Sequence, residues 1–266
     1  MTCAARTLRP SKWRIFGISL LFLCLTTSVF GKTFDHEHSQ WTASLTTFVD
    51  KQGWVDYSGW KKNHSQLDEY LKSLEAVSLE TYEGWSAEEK KAFLINAYNA
   101  FTVKLILDHY PVKSIRSIGS IFRSSWKREF FSLLDGQLKS LDPIEHQWLR
   151  KKPELKDPRV HAVVNCASVS CPKLLNEAFV ATKLDQQMTE ATKDWLADPS
   201  KNTFLPNKRT VKLSKIFDWY KEDFGNTDEG VAAFVRQYGP ESAKASLQTP
   251  FRLVYLDYDW DLNEKK

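Results

Sequence analysis

The stretch from Ser86 to His109 constrains this chain more than any other part of it. Ser-Ala-Glu-Glu at 86–89 puts a hydroxyl at a helix N-cap and a carboxylate three residues on, the arrangement of a capping box. Pro111 disfavours helix at Tyr110, which closes the element near His109. Between these limits residues 92–107 are apolar on nearly every side, so the helix must be covered all round rather than along one stripe. The spacing therefore predicts a buried central helix wrapped by other elements. Asn96 and Asn99 share a face with Ala92, Val103 and Ile106, which sends two amides inward, where they need partners. They either brace a neighbouring loop or orient a ligand or a catalytic side chain.

Around this helix the pattern predicts amphipathic helices over 41–51 and 63–77, with Gly-Trp-Val-Asp-Tyr (53–57) as a turn or short extended piece. Asp135-Gly136 suits a hairpin turn between 130–134 and 137–141. Asp142-Pro143 starts a helix that carries Glu145 and His146. The β-branched run Arg159–Asn165, with His161 inside it, reads as a buried strand. Then come a helix over 182–196, a hairpin of 204–205 against 211–213, helices over 214–224 and 228–238, and a closing strand over 251–258. No repeat or composition break divides the chain. The expectation is one α+β domain in which the central helix packs against a small, mostly antiparallel sheet with surrounding helices.

Residues 1–31 stand apart. Arg6, Arg9, Lys12 and Arg14 precede an apolar run from Ile15 to Phe30 with no acidic residue, a secretory signal pattern with cleavage expected after Gly31. The alternative is an uncleaved N-terminal anchor, although a comfortable span needs about 20 apolar residues. Leu21-Phe22-Leu23 is too bulky ahead of Cys24 for a lipoprotein signal, so lipidation is not expected. The globular domain is thus 32–266, secreted or periplasmic, with no membrane span of its own. The net charge of +4 belongs wholly to the signal: without its four cations, the 37 basic side chains fall to 33 against 33 acidic ones. A balanced chain without a clustered basic face gives no reason to expect a nucleic-acid partner.

Removing the signal leaves two cysteines, in His161-Ala-Val-Val-Asn-Cys166-Ala-Ser168-Val-Ser170-Cys171-Pro172, the densest reactive cluster in the sequence. His161 and Cys166 can meet only if the backbone turns at the cysteine. A thiol at such a turn could attack a carbonyl while the imidazole moves the proton, with Glu145 or a core Asn orienting the ring. A Cys166–Cys171 disulfide needs the same turn: fully extended, five residues span about 16 Å, against roughly 4.4–6.8 Å between bridged Cα atoms. Glu145, His146, His161 and the two thiols lack metal-ligand spacing, so no metal is expected. No phosphate-binding, dinucleotide or G-x-S-x-G fingerprint implies a cofactor or a serine nucleophile. The aromatic pieces 216–220 and 258–263 have the spacing that core packing alone would produce.

Taken together, Gly-Trp-Val-Asp-Tyr (53–57), Phe-Leu-Ile-Asn-Ala-Tyr-Asn-Ala (93–100), Pro-Ile-Glu-His (143–146), the stretch 161–172, Lys-Ile-Phe-Asp-Trp-Tyr-Lys-Glu-Asp-Phe (215–224) and Tyr-Asp-Trp-Asp-Leu-Asn (258–263) resemble the domain-of-unknown-function family numbered 547. The resemblance implies that Asn96, Asn99, Glu145, His146, His161, Cys166, Ser168 and Cys171 occupy the family's polar motif positions. Ser170 stands where the family often has glycine before Cys-Pro. In outline the fold is similar to transglutaminase-like and papain-like enzymes, but their nucleophilic Cys opens the central helix, where this chain has Asn96 and Asn99. Their mechanism does not transfer.

The leading expectation is an exported cysteine-dependent hydrolase or acyltransferase acting on amide or ester bonds. Its catalytic candidates are Cys166 as nucleophile, His161 as base, Glu145 as orienting carboxylate and Asn99 as oxyanion donor. Asn96, His146, Ser168, Ser170 and Cys171 are the binding candidates for an unidentified small-molecule or peptide ligand. Two alternatives stay open: a non-catalytic envelope binding or scaffold module with a structural Cys166–Cys171 disulfide, and a dithiol redox protein.

Overall fold

The computed structural model describes residues 1–2, 33–120 and 123–266; the expected signal, apart from its first two residues, lies outside the described residues. Helices dominate. In chain order they are α1 (Ser39–Phe48), α2 (Tyr57–Lys62), α3 (Ser65–Glu75), α4 (Leu79–Glu83), α5 (Ala87–His109), α6 (Leu141–Pro143), α7 (Leu184–Ala197), α8 (Ile216–Trp219), α9 (Asp228–Tyr238) and α10 (Glu241–Ser246). Three strands, β1 (Thr203–Leu205), β2 (Thr210–Leu213) and β3 (Arg252–Tyr255), make one sheet. Residues 34–266 form one compact unit.

α5 is the expected central helix. Ser86 accepts from Glu89 N while the Glu89 carboxylate accepts from Ser86 N, so the capping box is complete. Fifteen of its 23 residues are buried, which leaves no solvent-facing stripe for most of its length. Each large apolar side chain so covered contributes about 1.5–3 kcal/mol. α2, α3, the π-helix Ile144–Leu149 that carries Glu145 and His146, and the 3₁₀ turns 115–118 and 181–183 supply most of that cover. Trp41 stacks on Tyr70 at 5.7 Å and on Trp60 at 5.7 Å, tying α1, α2 and α3 into one aromatic block. Among the described residues no helix is long and apolar enough to cross a membrane.

The sheet is small and mixed. β1 and β2 form the expected hairpin, Phe204 opposite Val211. β3 then lies parallel to β2, Val211 opposite Leu253, because α9 and α10 carry the chain back across before it pairs. The sheet's main helical neighbour is α10. The 130–141 hairpin is reduced to one bridge, Leu133 to Leu138, around a turn with Leu134, Asp135 and Gly136 at positive φ.

One expected strand is absent. Pro158–Ala162 is a 3₁₀ turn, not part of a strand over 159–165. Asp157 caps it by accepting from Arg159 N, and Pro158 occupies the first turn, the same start signal as Asp142-Pro143. The β-branched residues after it are buried, but their backbone groups bond within the turn and to a side chain of α5: Val163 N donates to Val160 O, and Val163 O accepts from Asn99 Nδ2.

Candidate functional site

The turn that carries the cysteines is built by amides. Asn99 Nδ2 donates to Val163 O at 2.9 Å and its Oδ1 accepts from Asn165 N at 2.8 Å. Asn165 then clamps the loop: its Oδ1 accepts from Ala167 N and its Nδ2 donates to Pro172 O at 2.7 Å. Asn96 does the same for a second segment, holding Phe179 through both N–H and C=O. Both helix amides thereby hold loop backbone, Asn99 through one N–H and its carbonyl oxygen. Positive φ falls on Ala167, at 56°, and not on Ser170, whose hydroxyl instead accepts from Asp259 N at 2.9 Å.

The resulting bend brings the two sulfurs together as free thiols. Cys166 N donates to Cys171 Sγ at 3.1 Å. The Tyr258 hydroxyl lies 3.4 Å from Cys166 Sγ and donates to Cys171 Sγ at 3.2 Å, while accepting from Ser168 Oγ at 3.1 Å. Ser168 Oγ is also 3.2 Å from Cys166 Sγ. The pair therefore gives up one proton easily and the second with difficulty. Burial opposes charge on Cys171, but hydrogen bonds from Cys166, Ser168 and Tyr258 overcome it and bring it below the ordinary thiol value. The hydrogen bond to Cys171, followed by burial, pushes the Cys166 thiol up.

Both sulfurs line a cavity of about 310 Å³. Its polar wall holds Glu145, His146 and His161, with Tyr98 from α5; its aromatic wall holds Trp126, Trp219, Tyr220, Tyr258 and Trp260. That volume is at the lower end for a small-molecule site. Tyr258 meets Trp260 at 4.5 Å and Trp219 at 4.8 Å, and Trp219 is 45% exposed, which places it at the rim. The aromatic pieces thus divide between two jobs. Phe217 and Phe224 are buried core, whereas Trp219, Tyr220, Tyr258 and Trp260 face the cavity.

His161 is held by a residue that sequence reasoning did not single out. Its Nε2 donates to Asp223 Oδ2 at 2.8 Å, and its ring stacks on Tyr220 at 4.2 Å. Nδ1 is left as the base nitrogen, with no hydrogen-bond partner among the described residues. Asp223 also receives Arg150 Nε, and Arg150 continues to Glu222 and to His146 Nδ1, 2.8 Å away. Burial works against the Asp223 charge, but His161 and Arg150 hold its carboxyl down at about 2. Glu145, the expected orienting carboxylate, instead faces the hydroxyls of Tyr98 and Tyr220 and, after burial, adds to raising both phenols. Among the described residues no group of three or more His, Cys, Asp or Glu side chains is arranged to hold a metal ion.

Cys166, Cys171, His161, Glu145 and His146 thus line one cavity; Asn96, Asn99, Ser168 and Ser170 stand behind it as braces. This loop arrangement, with helix amides gripping the segment that bears the sulfur pair, lies where the motif match is densest. Residues 82–196 match a family model. That model is DUF547, described as a protein of unknown function, and it covers less than half of the chain. The matched segment contains Tyr98, Glu145, His146, His161 and both thiols. Asp223, Trp219, Tyr220, Tyr258 and Trp260 lie beyond it, so the cavity is completed by residues outside the matched range. No curated protein and no solved structure matches the chain.

Proposed function

We propose that this protein is an exported cysteine-dependent hydrolase or acyltransferase acting on amide or ester bonds. The observation that carries the reading is the meeting, in one cavity, of a thiol pair and an imidazole whose far nitrogen is bonded to a buried carboxylate. Cys166, the less buried sulfur, is the nucleophile. Its sulfur adds to the carbonyl carbon, the thiol proton passes to His161 Nδ1, and Asp223 stabilises the imidazolium that forms. His161 then returns the proton to the departing amine or alcohol, leaving a thioester on Cys166. Water or a second nucleophile, deprotonated by the same imidazole, releases the acyl group. Tyr258 places a hydroxyl beside the sulfur, a second donor for the developing oxyanion alongside Asn99.

An activated acyl ester such as p-nitrophenyl acetate tests this. The expected result is a burst of nitrophenol with the acyl group recovered on Cys166 by mass spectrometry, absent in Cys166→Ser and slowed about 10²–10⁴-fold in His161→Ala. Acylation that survives Cys166→Ser, or no acyl-protein at all, contradicts the reading. In the second case the aromatic wall would favour a non-catalytic binding module.

A further inference from the structure

We propose that Cys166 and Cys171 form a reversible dithiol–disulfide couple that exchanges with low-molecular-weight disulfides and switches the cavity off when oxidised. The switching part rests on the function proposed above; the exchange itself rests only on the loop. What bends that loop is independent of sulfur chemistry. Asn165 bridges Ala167 N to Pro172 O, Cys171 N donates to Ser168 O, and Val169 N and Ser170 N are tied to Asp261 O and Asp259 O. The two sulfurs are therefore held facing each other as free thiols, with one tyrosine hydroxyl spanning both. A structural staple would leave the loop depending on the bond. Here amide and backbone hydrogen bonds already supply the bend, so the bond can come and go.

The cavity also decides which oxidant can act. Both sulfurs line it, Cys166 is partly exposed, and the rim is narrowed by Trp219, Tyr258 and Trp260. A space of about 310 Å³ admits an aliphatic disulfide of a few carbons and keeps out a folded partner. The exchange balances without a metal or an electron carrier. Cys166 thiolate attacks one sulfur of R–S–S–R, forming a mixed disulfide and releasing RS⁻. Cys171 thiolate then attacks Cys166 Sγ, forming the internal disulfide and releasing the second RS⁻. The two cysteines give up two electrons and two protons, and the small disulfide leaves as two thiols. The lowered Cys171 thiol favours the second step, in which it is the attacking group, and the two cysteines are already in hydrogen-bond contact there. Oxidation removes the acyl-accepting sulfur.

The test uses the full chain with Cys3→Ser and Cys24→Ser, so that the pair supplies every thiol counted. The protein is equilibrated in mixtures of hydroxyethyl disulfide and 2-mercaptoethanol, quenched in acid and alkylated. Intact mass gives the redox state, and tryptophan fluorescence gives a second readout through the Tyr258 contacts with Trp219 and Trp260. The expected result is a single two-electron transition, traced identically from the reduced and oxidised sides, with iodoacetamide labelling lost on oxidation and regained with excess thiol. Burst acylation should follow the reduced fraction. An internal disulfide that resists excess thiol in the native protein, or that never forms in excess oxidant, overturns the couple. A reversible couple in a protein that takes no acyl group leaves the exchange standing and removes the hydrolase reading. Acylation undiminished in the fully oxidised protein removes the switch.

Discussion

His161 Nε2 and Asp223 Oδ2 are 2.8 Å apart although 62 residues separate them in the chain. Asp223 is also the partner of Arg150, which is 7% exposed, so one carboxylate orients the imidazole and neutralises a buried guanidinium. Replacing Asp223 by Ala removes the buried one of Arg150's two carboxylate partners and should destabilise the protein in urea unfolding, by less than the about 3–5 kcal/mol of a fully unpaired buried charge because Glu222 remains. Asp223→Asn keeps a hydrogen-bonding group in place and should cost less, while still slowing acylation because the imidazolium loses its counter-charge. Because the fold holds the Asp223 carboxyl at about 2, its contribution is fully present above the ordinary aspartate value and is lost as pH falls toward 2.

The two amides of α5 make separate, checkable contributions. Asn96→Ala and Asn99→Ala each leave a buried backbone N–H and C=O without partners, at about 1–3 kcal/mol per stranded group. Only Asn99→Ala frees the cysteine loop. Cys166 should therefore be alkylated faster in native Asn99→Ala than in the parent protein, with Asn96→Ala unchanged.

Much of the frame that holds this loop is legible in the sequence. The capping box at Ser86 and the all-round apolar run through 92–107 specify α5, and the Asn pair three residues apart announces interior amide bonds. The 159–165 region reads differently because β-branching is a weak signal where no neighbouring strand is available, and the Asp157-Pro158 cap outweighs it. Asp223 and Tyr258 carry no mark of their own. Each sits in an aromatic run whose spacing is satisfied by packing, and only the tertiary fold turns Asp223 to His161 and Tyr258 to the sulfurs. The available hint was an acidic residue, Asp223, placed beside core Phe224.

Stability should also depend on pH through His38, which is 2% exposed and shares a 2.7 Å hydrogen bond with Tyr70. Burial lowers its pKa from 6.5 to about 4, so the fold favours the neutral ring. Its contribution is complete above pH 6.5 and is lost as pH falls toward 4, amounting to at most about 3 kcal/mol. Thermal melting across that window should show the slope in the parent and a smaller one in His38→Gln.

The left-handed backbone at Ala167 makes a further prediction. An L-residue there carries strain of about 1–2 kcal/mol, which glycine does not. Ala167→Gly should match or exceed the parent in urea unfolding; a loss of 1 kcal/mol or more would mean that this turn is not strained.

The account stands or falls on the sulfur pair being an ionisable, reachable nucleophile, and the pH dependence of alkylation by iodoacetamide reads this directly. Hydrogen bonds bring the Cys171 thiol down to about 6, so labelling of the pair, located by mass spectrometry, should reach half its maximal rate near there and move upward in Tyr258→Phe, which removes one of those bonds. A midpoint at or above the ordinary thiol value of about 8.5, or a Cys166 that takes no label in the reduced native protein, would contradict it.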